Sequence, residues 1–336
     1  MTDRKTLTLR SPEDILALVP YVLGFLPEDS VVLLTAGQDG KSFHARIDLP
    51  DGPADLDLVV RTLVEATVRN GARQAMVVVY TADACLALEA VMRLEAGLGD
   101  VGAEILVALR ADTTCYHNLN DHDAPATAYD ISAHPLSAQA VLDGRVTYRT
   151  RQELSDSLLP TDPDAVSLVG ELCEQAIVRL AGASRHPLGP PTPATLRSTL
   201  VAEGTWGRDR VRRALAESAV LDDDELARLL AALVSVEIRD VLWAEIQRLG
   251  AGKHVRFWSD VVRRSPDEYV AAPAALLGFA AWMAGDGALA WCALDRCMEA
   301  DPAYSMAILV ASALRAAMPP SAWKPIDPGS LTLFAG

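Results

Sequence analysis

The stretch LRSPEDILALVPYVLGFLPEDSVVLLTAGQDGKSFHARIDLP, residues 9–50, decides the fold of the first half of the chain. Its Ser-Pro-Glu-Asp segment (11–14) predicts a helix start, because serine caps free backbone amides, proline suits the first turn and carboxylates face the positive end of the helix dipole. Pro20 and Gly24 predict the end of this helix. The run VVLLTA (31–36) is apolar at neighbouring positions, which predicts a strand buried on both faces.

The segment FHARIDLP (43–50) alternates apolar and polar residues, which predicts a strand with one face against the core. His44, Arg46 and Asp48 lie on its other face. An Arg46–Asp48 pair beside a histidine suits anion binding or proton transfer, and a solvated face with a surface charge pair is the alternative. The connection GQDG (37–40) favours a hairpin over a phosphate-binding loop, because the Gly-Lys-Ser at its end is followed by a strand and not by a helix.

The rest of the first 150 residues alternates helix and strand patterns. Apolar residues at helical spacing or in short buried runs predict helix 54–70, strand 75–80, helix 83–97, strand 104–110, a helix near 136–143 and a closing strand at 145–149. Strands that alternate with helices form a sheet with a parallel portion. We therefore predict an α/β domain over residues 1–150, in which helices pack on a mixed sheet.

The second half of the chain shows helical periodicity alone, since its apolar residues recur at three- and four-residue intervals. Residues 274–302 resemble the tetratricopeptide pattern, with small residues where two paired helices approach. Pro266 and Pro302 are separated by close to the ~34-residue period of that repeat. We expect connecting helices and a proline-rich linker at 151–193, an all-helical tetratricopeptide-like domain at 194–318 and a tail at 319–336.

Composition excludes several classes of partner. The formal net charge of -15 opposes binding to phosphate backbones, so we expect no nucleic acid partner. No apolar run approaches the ~18 residues that a membrane span requires. The five cysteines include no Cys-x-x-Cys pair, which is typical of reduced thiols rather than of a disulfide framework or a zinc ribbon. These features predict an acidic cytoplasmic protein that stays out of the membrane.

A long polar segment, residues 111–134, follows the last well-defined strand, and loops of this length are usually functional or disordered. Asp112 lies where that strand ends, so we assign it, with His44, Arg46 and Asp48, to a candidate ligand site on the α/β domain. The same loop holds four candidate ligands of a divalent metal: Cys115, His117, Asp121 and His122. Their spacing differs from that of standard zinc sites, so a polar loop without a metal is the alternative.

Standard catalytic motifs are absent from the sequence. It contains no Gly-x-Ser-x-Gly nucleophile elbow. Gly97, Gly99 and Gly102 have the spacing of the dinucleotide pattern, but they follow a predicted helix and precede a predicted strand, whereas that fingerprint must follow a strand and open a helix. We therefore assign no catalytic residue, and the sequence leans away from an enzyme.

Two parts of the chain carry a family resemblance. RSPEDILALVPYVLGFLPEDSVVLL (10–34) with ARIDLP (45–50), together with YVAAPAALLGFAAWMAGDGALAWCALDRCMEADPAYSMA (269–307), resemble the actinobacterial domain of unknown function 4192 family. The resemblance runs over almost the whole chain and implies no activity. It also implies a Cys-Cys-Pro after Cys115, where this sequence has Asp-His-Asp at 121–123. That difference leaves a metal site open and disfavours a redox one.

Two functions from different classes follow from these patterns. The first is a non-catalytic interaction or regulatory scaffold protein that binds a protein or peptide partner through the helical hairpins. The second is a small-ligand or metal-binding enzyme or sensor with a site on the α/β domain. The sequence favours the first, because the repeat is a positive feature while each enzyme motif fails. The sequence is also compatible with a homo-oligomer.

Overall fold

The computed structural model describes residues 9–36, 43–121, 123–142, 146–183, 192–331 and 333. The chain forms two compact units, which are described separately below. The first, called the α/β unit here, comprises residues 1–153 and 316–319, and the second, the helical unit, comprises residues 154–315 and 320–336. Within the described residues, no helix combines the length and the apolar character needed to cross a membrane.

The α/β unit is built on a six-stranded mixed sheet with the strand order β2-β1-β3-β4-β5-β6. The strands are β1 (Ser30–Ala36), β2 (His44–Asp48), β3 (Gln74–Tyr80), β4 (Glu104–Ala111), β5 (Cys115–Asn118) and β6 (Thr127–Ala128). The helices are α1 (Pro12–Leu23), α2 (Leu56–Asn70), α3 (Ala84–Asp100) and α4 (Pro135–Leu142). Strands β3 and β4 pair in parallel, whereas the other described neighbours are antiparallel. The predicted mixed sheet with a parallel portion is confirmed.

One face of the sheet packs against α2 and α3. The core there contains branched aliphatic side chains from strands and helices alike: Val31, Leu33, Leu63, Val77, Val79, Val91, Leu94 and Leu98. The apolar residues of the 43–50 segment pack against the same cluster: Phe43, Ala45, Ile47 and Leu49. The alternation predicted for this strand is therefore correct, and its polar positions face the opposite side of the sheet.

On that opposite side, side chains of α1 contact the sheet and the segment before α4. The Tyr116 hydroxyl of β5 donates to Glu13 Oε1 (3.0 Å), and His134 Nε2 lies 3.0 Å from Asp14 Oδ1. Helix α1 begins after Ser11, which caps it as predicted, and Asp14 bonds back to complete a reciprocal capping box. It ends at Gly24, which adopts a left-handed conformation (φ 77°).

Three sequence predictions for this unit are wrong in detail. Helix α1 continues through Pro20 to Leu23, because the buried side chains around Pro20 hold the last turn although one backbone bond is lost. The 111–134 segment was predicted to be a polar loop, but β5 and β6 extend the sheet within it. In the expected strand at 145–149, Tyr148 alone of the described residues pairs, in an isolated bridge to Phe25. The predicted hairpin loop at 37–40 lies outside the described residues.

The helical unit contains helices throughout the described part of residues 163–315. They are α6 (Pro163–Ala183), α7 (Pro193–Glu217), α8 (Asp223–Leu233), α9 (Val236–Ala244), α10 (Ala251–Arg264), α11 (Ala271–Ala284), α12 (Gly287–Ala300) and α13 (Ser305–Arg315); α5 (Arg151–Asp156) lies where the chain passes from one unit to the next. A helix-rich second half is confirmed, and no strand is found among its described residues.

Helix α11 is the buried centre of this unit. Every residue from Ala272 to Met283 is buried, so the helix is covered on all sides. An aromatic cluster lies beside it, in which Trp243, Phe279, Trp282 and Trp323 have ring centroids 5.2 to 6.0 Å apart. Helices α11 and α12 approach closely at Gly278, where a β-carbon would lie 2.7 Å from Leu294 Cδ2. Small residues at a helix crossing are the feature that the sequence pattern predicted.

Substitution of Gly278 tests this close approach. We expect Gly278→Ala to lower the free energy of unfolding by about 1–3 kcal/mol, because the added methyl meets Leu294 and the Ala290 carbonyl in a packed core. Urea unfolding followed by tryptophan fluorescence measures the change. Gly287→Ala is the matched control, since nothing lies within 4 Å of its β-carbon. A Gly278→Ala protein as stable as that control would contradict the close packing.

Candidate functional site

A cavity of about 620 Å³ opens in the α/β unit at the carboxyl ends of the parallel strands β3 and β4. Its walls come from four short segments of chain. The lining residues are Leu26, Pro27, Glu28, Asp29, Tyr80, Thr81, Ala82, Ala111, Asp112, Thr113, Thr114, Tyr129, Asp130, Ile131 and Ser132. The volume is within the ~300–1,000 Å³ of small-molecule sites.

The position of the cavity follows from the sheet topology. Parallel strands end at the same edge, and there β3 continues into α3 while β4 turns back into β5. The last backbone bond between them joins the Thr81 amide to the Ala111 carbonyl (3.3 Å), after which the two chains diverge. Strand β1 is antiparallel to β3, so its first residue, Ser30, pairs with Tyr80 and brings Asp29 to the same edge. A crevice at such an edge is the common ligand site of α/β sheets.

Tight turns fix the polar lining. Asp112 Oδ1 accepts hydrogen bonds from the amides of Thr114 and Cys115 (both 2.7 Å) and from the Thr114 hydroxyl (2.9 Å). These bonds, led by the Cys115 amide, lower the pKa of Asp112 below its usual value, so the carboxylate is ionised at neutral pH. Asp130 is held similarly, because its Oδ1 accepts from the Ser132 amide (2.8 Å), which lowers the pKa of Asp130.

Two tyrosines supply the aromatic part of the lining. The Tyr129 hydroxyl donates to the Asp112 carbonyl oxygen (2.6 Å), and burial, with the nearby Asp112, raises the pKa of Tyr129 to about 12. Tyr80 is 5% exposed, and burial raises the pKa of its hydroxyl. That hydroxyl forms no recorded hydrogen bond with any residue in the described part of the chain. That hydroxyl can therefore donate a hydrogen bond to a bound molecule or accept one from it.

The charge of the lining is negative throughout. Its ionisable carboxyl groups belong to Glu28, Asp29, Asp112 and Asp130. Among the described residues that line the cavity there is no lysine, arginine or histidine. Two arginines outside the lining donate to carbonyl groups of lining residues: Arg110 to Ala82 (3.0 Å) and Arg46 to Glu28 (3.4 Å).

The sequence-predicted ligand residues are placed in two groups. Asp112 lines the cavity. The other three lie on the edge strand β2, where Asp48 pairs with Ser30, the residue that pairs in turn with Tyr80. They are therefore on strands next to the cavity and outside its lining.

The polar face of β2 is only partly solvated. Asp48 is 77% exposed, but the Arg46 side chain is 17% exposed and lies 5.7 Å from the centre of the Phe25 ring. Arg46 pairs with Asp48 (2.5 Å) and donates to the Glu28 carbonyl (3.4 Å), so its charge is already compensated. His44 Nδ1 is buried without a partner among the described residues. Burial lowers the pKa of His44 to about 4, which keeps the imidazole neutral.

The candidate metal ligands lie in and after β5. Cys115 and His117 alternate with Tyr116 along the strand and share its other face, whereas Asp121 is exposed in the following turn. His122 lies outside the described residues. Within the described part of the chain, no three His, Cys, Asp or Glu side chains are grouped to hold a metal ion.

Sequence reasoning missed most of the cavity lining. No functional role was assigned from the sequence to Glu28 or Asp29, and Tyr80 was only the last residue of the predicted strand 75–80. Tyr129 and Asp130 were unassigned within the polar loop. The position of these residues in the sequence was the available signal. Polar residues that come directly after two neighbouring parallel strands lie at the same edge of the sheet.

The half-buried histidine on β2, whose Nδ1 is enclosed, gives a pH prediction. The pKa of His44 is lowered in the folded state from about 6.5 to about 4, so the unfolded chain binds more protons between these values. Stability should therefore fall as pH drops from about 6.5 to about 4, by at most about 3 kcal/mol from this residue. We expect His44→Leu to flatten the dependence in thermal unfolding measured across this range.

His254, buried in helix α10, also has its pKa lowered to about 4 by burial and contributes in the same window. The double variant His44→Leu, His254→Leu should be flatter than either single variant. A His44→Leu profile parallel to that of the unmodified protein would show that His44 is not kept neutral by the fold.

Comparison with known proteins gives one match. The family model described as "Domain of unknown function (DUF4192)" matches residues 12–321. No curated protein and no solved structure matches the chain.

Proposed function

The chain belongs to the DUF4192 family, and we propose that its α/β unit binds a small organic molecule in the cavity at the carboxyl ends of β3 and β4. One observation carries this proposal: the Tyr80 side chain is buried in the lining of the cavity, and its hydroxyl has no hydrogen-bond partner among the described residues. A bound molecule can supply that partner.

The lining suits recognition of a ligand. The Asp112 and Asp130 turns hold their carboxylates by backbone bonds, so little side-chain freedom is lost when a ligand binds. Leu26, Pro27 and Ile131 add apolar surface to the polar groups. An apolar pocket with a few convergent polar groups is the usual form of a small-molecule site.

Binding is favoured over catalysis at this site. The hydroxyls of Thr81, Thr113, Thr114 and Ser132 lie in the lining. Activation of such a hydroxyl needs an adjacent base, usually histidine, and none of the described lining residues is a histidine. We therefore propose a sensor or binding module rather than a hydrolase or transferase.

A protein-binding role for the helical unit is the second candidate. The first helix of a tetratricopeptide hairpin normally lines an open groove, but α11 is buried on all sides, so a groove on α11 is not the surface we propose. Helix α13 instead exposes Ile308 (47%) and Leu309 (48%). A helix that ends a stack usually has a polar outer face, and this apolar pair favours contact with a protein partner or a second copy.

The oligomeric state tests the second candidate. We expect Ile308→Glu with Leu309→Glu to shift the protein to a smaller species in sedimentation velocity, because charges disfavour burial of this face. Ala194→Glu with Ser198→Glu, at exposed positions of α7, is the control for two added charges away from α13. An unmodified protein that sediments as a monomer, with no complex lost in the double variant, would contradict self-association through α13.

A substitution that fills the cavity tests the first candidate. Ala82 lines the cavity and is exposed, so Ala82→Trp should occupy it with little effect on the core. We expect compounds found to bind the full chain by ligand-observed NMR to lose affinity for Ala82→Trp at least about ten-fold, a change of about 1.4 kcal/mol.

Ala96→Trp is the matched control, because Ala96 is exposed on α3 and does not line the cavity. Compounds should bind this variant as they bind the unmodified protein. Equal binding to all three proteins would place the binding site elsewhere and contradict the proposed function.

A further inference from the structure

We propose that the cavity at the ends of β3 and β4 selects organic cations, namely amines with an apolar body, over neutral and anionic molecules of the same size. This inference rests on the proposed function, since it names the chemical class of ligand for the same site. The observations that carry it are the charge of the lining, the state of each carboxylate and the unpartnered Tyr80 hydroxyl.

Two of the four carboxylates are free to bind a ligand. Glu28 and Asp29 are exposed at the mouth of the cavity. Neither side chain has a recorded hydrogen bond or ion pair with another described residue. Arg46, the cation on the adjacent strand, contacts the Glu28 carbonyl and pairs with Asp48 instead. The negative charges of Glu28 and Asp29 are therefore not paired with a cationic side chain among the described residues.

The other two carboxylates are ordered but keep their charge. Recorded bonds to Asp112 and Asp130 engage Oδ1 of each and come from neutral amides and hydroxyls. Arg110 is the one cation recorded near them in the described residues, and it lies outside the lining. Because the lining holds four carboxylates and, among its described residues, no cationic side chain, its negative charge attracts positive ligands and repels phosphates and carboxylates.

The tyrosines complete an amine site. The Tyr80 hydroxyl has free lone pairs that an ammonium group can donate to. The Tyr129 hydroxyl is committed to the Asp112 carbonyl, which fixes its ring in the wall. An aromatic ring face within about 6 Å of a cation adds electrostatic attraction.

A bare metal ion fits the cavity less well than an organic cation. No group of three or more suitable ligands is gathered among the described residues, so the carboxylates are spread around the wall. A divalent metal needs its oxygen ligands at ~2.0–2.6 Å from one point. The apolar lining of Leu26, Pro27 and Ile131 requires a ligand with hydrocarbon surface, which an amine supplies.

Pairs of probes that differ only in charge test this selectivity. We would titrate the full chain with 1,4-diaminobutane and 1,4-butanediol, with 2-phenylethylamine and 2-phenylethanol, and with inorganic phosphate and Mg²⁺. We expect at least one amine to bind at least about ten-fold more tightly than its alcohol. Amine binding should weaken as ionic strength rises, because salt screens the carboxylates.

A variant that removes charge without changing shape assigns the effect to the cavity. Glu28→Gln with Asp29→Asn should weaken amine binding at least about ten-fold, and Tyr80→Phe should weaken it as well. Glu65→Gln with Asp100→Asn is the control, since it changes the net charge equally at exposed positions outside the lining. This control should bind the amine as the unmodified protein does.

Each contrary outcome has a separate meaning. An alcohol or phosphate that binds in place of the amines, and that Ala82→Trp excludes, would overturn the cation selectivity and leave the proposed function standing. Mg²⁺ binding that depends on Glu28 and Asp29 would show that the site binds a metal ion, and it would overturn the inference that the site selects amines. Amine binding that both charge variants leave unchanged would also overturn the inference. If Ala82→Trp excludes none of these probes, the selectivity and the proposed function both fail.

Discussion

The parallel pairing of β3 with β4 is the constraint on which the α/β unit depends. Two parallel neighbours cannot be joined by a hairpin, so the chain must cross over through α3, and that helix covers one face of the sheet. The same pairing brings both carboxyl ends to one edge. Since β3 then enters a helix and β4 enters an antiparallel hairpin, the two chains separate, and the cavity lies between them.

Much of this fold was predictable because it depends on interactions between residues that are close in sequence. The Ser11 cap and the alternation of residues 43–50 depend on neighbours a few positions away, and both predictions are confirmed. The course of α1 beyond Pro20 was not predictable in this way, because the packing of the surrounding buried side chains outweighs the lost backbone bond. Strands β5 and β6 are short, and β5 pairs with β4 while β6 pairs with β5, so no strong local pattern marks them and the 111–134 segment was predicted to be a polar loop.

The candidate site was predictable in part. Asp112 was identified because polar residues after buried strands lie at a shared edge. Tyr80 was not, since its role depends on an unpartnered hydroxyl that no local pattern shows. Helix α11 gives a related lesson: spacing predicted its close approach to α12 at Gly278, but the burial of its remaining faces comes from elements distant in sequence. The spacing of residues in a helix therefore predicts which of them contact a neighbouring helix more reliably than it predicts which faces of the helix stay exposed.

A crystallographic fragment screen of the full chain tests most directly whether the edge formed by β3 and β4 is a ligand site. Bound fragments should collect in the cavity, with a polar atom at hydrogen-bond distance from the Tyr80 hydroxyl and positively charged fragments beside Glu28 or Asp29. The contrary result is that fragments bind other surfaces of the α/β unit or the helical unit while the cavity, although accessible in the crystal, stays empty. That result would contradict the assignment of this edge as the functional site.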